Sequence, residues 1–159
     1  MNERRKLWFI LEAFAVCGIF GAFWAIGGSG EFWGGQKWIR RFLAPALLCL
    51  WAFMRSGFDW RYLIQMPLMM GASTLPYGAD DTATKWLLRG LFGVANGAAA
   101  NTANLLRKRW LISGFSFVLI VASSIAFGVY NPLDAMGEQF LIGAFISFFV
   151  VLSVTPKTK

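Results

Sequence analysis

Histidine is absent from this chain, and with it go the Ser-His-Asp nucleophile system, imidazole metal sites and His-ligated haem. Charge is scarce as well: 14% of residues are Asp, Glu, Lys or Arg, against about 25% in an ordinary soluble domain. Cysteine occurs only at Cys17 and Cys49, each inside an apolar stretch. That placement argues against a disulfide framework or a zinc pattern and leaves two small buried hydrophobes. No Gly-rich phosphate cradle occurs, because Gly27-Gly28-Ser29-Gly30 and Gly34-Gly35 read as glycines of a flexible loop. The expectation is a protein that is not an enzyme, with no catalytic residue, cofactor or metal.

What remains is apolar. Of 159 residues 57% are hydrophobic, including 16 Phe, 8 Trp and 6 Met, and the mean hydropathy is +0.56. One domain of this size cannot hide that much apolar surface inside itself, so the solvent for the remainder is lipid. The net charge of +7 would suggest nucleic acid if clustered on a soluble face, but the charges lie between apolar runs and favour a membrane. The expected fold is all-α, a single integral membrane domain over residues 1–159. It is read as a transmembrane helix bundle with six spans at about 7–26, 38–54, 62–77, 86–106, 110–130 and 140–154, a span needing about 20 residues. A β-barrel is excluded because the runs are continuously apolar, without the alternation a lumen imposes.

Lysine and arginine in short loops stay cytoplasmic. With the N-terminus inside, Arg4, Arg5, Lys6, Arg55, Arg61, Arg107, Lys108, Arg109, Lys157 and Lys159 fall on the cytoplasmic side, and only Lys37, Arg40, Arg41 and Lys85 fall opposite. Both termini are then cytoplasmic. Trp8, Trp60 and Trp110 would sit near the inner ends, and Trp24, Trp38, Tyr77, Trp86 and Tyr130 near the outer ends, where amphipathic rings collect.

The fourth span is built from glycine, alanine and asparagine. Gly90, Gly93, Gly97, Asn101 and Asn104 recur at steps of three and four, one stripe that reads as a helix-packing seam. With Asn96, and with Gln65 in the third span, the amides could instead line a polar path for a solute. The third span contains Pro67 and Gly71 and is expected to kink or unwind between residues 66 and 74. Glu12 and Arg89 are the intramembrane charges. Their depths differ by nearly 20 Å at about 1.5 Å per residue, so each is expected to pair elsewhere: Glu12 with Arg107 or Arg109, and Arg89 with Asp80 or Asp81.

The pattern Gly35-x-x-Trp38-x-Arg40-Arg41, then Leu75-Pro76-Tyr77-Gly78 and Arg89-Gly90-Leu91-Phe92-Gly93, resembles small uncharacterised polytopic membrane proteins of the kind carried in bacteriophage genomes. The likeness covers about residues 35–100. It implies a bacterial inner-membrane setting and brings no activity with it. The leading expectation is passage of an ion or small solute near the third and fourth spans; the alternative is a non-transporting scaffold, partner-binding protein or phage-type membrane effector. The expected partners are the lipid bilayer and a second copy in a homo-oligomer, with no nucleic acid.

Overall fold

The computed structural model describes residues 3–28, 37–76, 81–129 and 135–154. Among these it has seven α-helices and no strand: α1 (Glu3–Gly28), α2 (Ala44–Ser56), α3 (Arg61–Ala72), α4 (Thr82–Ala100), α5 (Thr102–Leu106), α6 (Trp110–Val129) and α7 (Ala135–Ser153). A π-helical segment, Ile39–Leu43, runs directly into α2. The all-α expectation holds.

Local chemistry sets several boundaries. Pro45 stands in the first turn of α2, where its missing N–H costs nothing, and Gly57 leaves that helix at φ 77°, a conformation other residues resist. Asp81 caps α4 by accepting a hydrogen bond from the Thr84 amide at 2.8 Å, satisfying an N–H that the first turn cannot pair internally. At the end of α5 the Arg109 amide donates to the Asn104 carbonyl and the Lys108 amide to that of Leu105. Lys108 adopts φ 60° there, which is the Schellman closure of a helix.

Two expected spans differ in form. α3 does not unwind between residues 66 and 74: it continues through Pro67 to Ala72, with Pro67 on the exposed side, and the chain leaves the helix only at Ser73. The fourth span is broken at Asn101, which sits at φ −96° and ψ 1° between α4 and α5. Two helices, Leu7–Gly27 and Trp110–Phe127, are long and apolar enough to cross a membrane, and only 22% of each is buried. Gly137–Ser153 is a shorter apolar helix. Six crossings are therefore not supported by length and composition. The 12 residues of α3 rise only about 18 Å, against a hydrocarbon core of about 30 Å.

α1 packs along α7, α4 along α6, and α3 lies between α2 and α4. Helices approach closely where glycine removes a side chain. A Cβ on Gly21 would meet the Phe140 carbonyl at 2.8 Å, and one on Gly143 would meet Cβ of Trp24 at 2.5 Å. Gly27 belongs to α1 rather than to a loop, and is pressed against the backbone of Arg40, whose amide nitrogen lies 2.6 Å from a built Cβ. The core joins Trp24, Leu48, Met69, Phe92, Ile146 and Val150. Trp24, expected in an interfacial belt, is instead fully buried, with Phe92 edge-on at 6.0 Å. Trp8, Trp38, Trp60, Trp86 and Trp110 are exposed; Tyr77 and Tyr130 lie outside the described residues.

Apolar surface is not confined to the core. Every helix presents a large apolar side chain outward: Phe14, Leu50, Leu68, Leu91, Leu106, Leu111 and Phe148 are all exposed. Inside lie Gln65, Arg89, Asn96, Asn101, Asn104 and Glu138.

Candidate functional site

The amides converge on the packing of α4. Gln65 of α3 donates through Nε2 to the Ala100 carbonyl at 2.7 Å. Asn96 of α4 donates back to the Ala72 carbonyl at 3.3 Å and to Phe92 at 3.0 Å, so two amides tie α3 to α4 from opposite sides. Asn101 donates to Gly97 at 2.9 Å, which spends its amino group where the helix breaks. Gln65, Asn96, Asn101 and Asn104 are all at most 1% exposed. Their oxygens Gln65 Oε1, Asn96 Oδ1, Asn101 Oδ1 and Asn104 Oδ1, with Asn104 Nδ2 and the nearby-in-sequence Ser113 Oγ, have no hydrogen-bond partner. Each such buried atom costs about 1–3 kcal/mol.

The glycine stripe divides. A Cβ built on Gly93 would meet Val121 and Ser124 at 3.0–3.2 Å and one on Gly97 would meet Phe117 at 3.0 Å, so both glycines serve as the seam with α6. Gly90, on the same stripe, has nothing within 4 Å of a built Cβ and takes no part in it.

Glu12 and Arg89 find partners other than those expected. Arg89 pairs with Glu138 at 3.2 Å, side chains 6% and 7% exposed, rather than with Asp80 or Asp81. The physical reason is that α7 passes α4 and brings Glu138, which the sequence places in a loop, into the interior; Asp81 is engaged as a helix cap, and Asp80 lies outside the described residues. Glu12 accepts from Trp51 Nε1 and from Arg55 Nε, both at 2.7 Å, rather than from Arg107 or Arg109. Trp51 and Arg55 are one helical turn apart on α2, which therefore offers two donors on one face.

Arg107 is already committed. It pairs with Asp59, donates to the Ser153 carbonyl, and lies 3.3 Å from the Tyr62 hydroxyl, which in turn meets Ser153 Oγ at 3.3 Å. Arg61 adds a second cation to Asp59 at 3.2 Å. Burial alone lifts the Asp59 carboxyl, but the hydrogen bonds from Arg107 and from the Arg61 backbone outweigh it and hold the group below the usual carboxylate range. This cluster clamps the α2–α3 turn, the α5–α6 turn and the end of α7 together. At the other end Arg40, 8% exposed, stands 6.0 Å over the Trp24 ring.

Asp59, Tyr62, Ser153 and Glu138 were not among the expected site residues. A signal was present only for Asp59, an acid within two residues of Arg61. Cys17 and Cys49 are free thiols, the second buried with its Sγ 3.9 Å from Met69 Sδ. No group of three or more His, Cys, Asp or Glu that could hold a metal occurs among the described residues. Compared with protein families, curated proteins and solved structures, the chain matches none.

Proposed function

We propose that this chain is a multi-pass protein of the bacterial inner membrane, with six crossings and both termini cytoplasmic, acting as a non-transporting scaffold of the kind a phage-type membrane effector would use. Membrane residence is supported by the apolar exterior: large apolar side chains face outward on all seven helices while amides and an ion pair lie inside beside the apolar core. In water such a surface would drive aggregation; in lipid it is the stable arrangement. The ten-to-four bias of basic residues between the two sides supports the orientation.

The observation that carries the scaffold reading is closure. Gln65, Asn96, Asn101 and Asn104 are buried to within 1%, and Gly93 and Gly97 press α4 onto α6. A groove of about 610 Å³ and a pocket of about 100 Å³ both lie elsewhere, without any of these amides in their walls. A second reading, passage of an ion or small solute, is favoured by the four amide oxygens without partners, an acceptor set that suits a cation or a chain of waters.

Proteoliposome flux separates the two. The expected result is no passage of any ion or small solute across a broad panel that includes protons, and in N101L/N104L a stability unchanged or raised, because Asn104 has no hydrogen-bond partner to lose and Asn101 donates only within its own helix, while each unpaired buried atom removed relieves about 1–3 kcal/mol. Flux in the wild type that collapses in this variant, with fold and oligomeric state unchanged, would overturn the scaffold reading and establish transport.

A further inference from the structure

The geometry points to a lipid site: we infer that the groove between α1 and α7 holds one acyl chain of an anionic phospholipid, with its phosphate at the basic end where α1 begins. Ile10, Phe14 and Gly18 form one wall, Leu141 and Phe148 the other, and Phe127 of α6 closes the far end. The groove runs beside a close contact of α1 and α7, where Gly21 faces Phe140 and Gly143 faces Trp24. Gly18 then leaves its floor open, since a Cβ built there meets nothing within 4 Å.

Length fits the occupant. From Phe9 to Gly18 the groove follows α1 for about 14 Å, the depth of one leaflet of a hydrocarbon core about 30 Å thick. Its volume of about 610 Å³, spread over that length, accommodates a polymethylene chain laid along the helix. The walls are almost wholly apolar, so nothing in them would hold a headgroup.

Charge places the headgroup at one end. α1 opens with Arg4, Arg5 and Lys6, and the wall helix α7 is followed in sequence by Lys157 and Lys159; Glu3 is the one acid in these two stretches. The Arg4 side chain is exposed. Basic clusters at a membrane face draw anionic lipid, and α1, whose first turn carries this one, lines the groove from Phe9 onward. The inference rests on membrane residence but not on the scaffold reading, and it holds whether or not the protein passes a solute.

Native mass spectrometry of the purified full chain, titrated with dioleoyl phosphatidylglycerol or dioleoyl phosphatidylcholine, tests it. One phosphatidylglycerol is expected to be retained about fivefold or more tightly than phosphatidylcholine. Gly18→Phe places a ring in the groove from a position whose built Cβ meets nothing within 4 Å, and Leu141→Trp fills it from the opposite wall. Either, with circular dichroism and thermal unfolding unchanged, is expected to weaken phosphatidylglycerol retention about tenfold, or 1.4 kcal/mol. R4Q/R5Q/K6Q is expected to abolish the preference between the two lipids while leaving phosphatidylcholine retention as it was. Equal retention of the two lipids by the wild type, full retention in both groove-filling variants, or a dimer that those variants dissolve would overturn the site.

Discussion

Asp59 accepts from the Arg61 amide and pairs with both Arg61 and Arg107, and it is where a single titration has the clearest consequence. Its carboxyl is held below the usual range by Arg107 and Arg61, so the folded state binds its proton less tightly than the unfolded chain, whose Asp titrates near about 3.9. The stabilisation is therefore complete above that value and is lost as pH falls through the lower folded value. Thermal unfolding in detergent is expected to show a melting temperature that drops below about pH 4. Asp59→Asn is expected to cost about 1.5–3 kcal/mol at neutral pH and to flatten the acid limb. An unchanged acid limb in that variant would place the dependence on other carboxylates. Asp59 shows how far residue-level legibility extends: its local partner Arg61 is two positions away, whereas Arg107 is brought in by folding across 48 residues.

At the scale of the helix, α4 is the element whose composition foretold its role, and only in part. Its glycine stripe has the small-residue spacing of a close-packed seam, which Gly93 and Gly97 fulfil against α6 while Gly90 does not. Gly93→Leu or Gly97→Leu is expected to cost about 1–3 kcal/mol by overpacking. Gly90→Leu, entering open space, is expected to be neutral or stabilising because leucine favours helix over glycine. Leu87→Ile, on an exposed side chain, is expected to cost less than about 1.5 kcal/mol. Equal stability of all four variants, measured by thermal unfolding, would mean that α4 does not bear on α6. The break at Asn101 was not legible from the sequence, since no proline or glycine marks it. α3 shows the reverse: Pro67 signalled a kink, but with its ring on the exposed side the helix carries it without unwinding.

At the scale of the whole molecule the testable quantity is orientation. In a C17S/C49S background, a single cysteine replacing Ser29 or Asp134 is expected to react with a membrane-impermeant reagent added outside cells, and one replacing Lys108 is expected to be protected. Labelling at Lys108 with protection at Ser29 would invert the proposed topology. The turn of Lys108 is bounded by Arg107 and Arg109, the densest basic loop between helices, which makes it the strongest reporter of the cytoplasmic side.

Composition by itself determined the class: no histidine, little charge and long apolar runs leave an all-helical chain with more apolar surface than it can bury, a balance that needs no knowledge of contacts. The spacing of the chain also led to the expectation that Glu12 and Arg89 do not pair with each other, and in the structure each meets another partner. Only the tertiary structure decided what each pairs with, because a buried ion pair depends on which helix lies alongside: α2 brings Trp51 and Arg55 to Glu12, and α7 brings Glu138 to Arg89. The same holds for Trp24, which an aromatic belt would place at the surface and which Gly143 admits to the core. Periodicity assigns a residue to a face of its own helix; which neighbour covers that face is set by the three-dimensional packing of all seven helices.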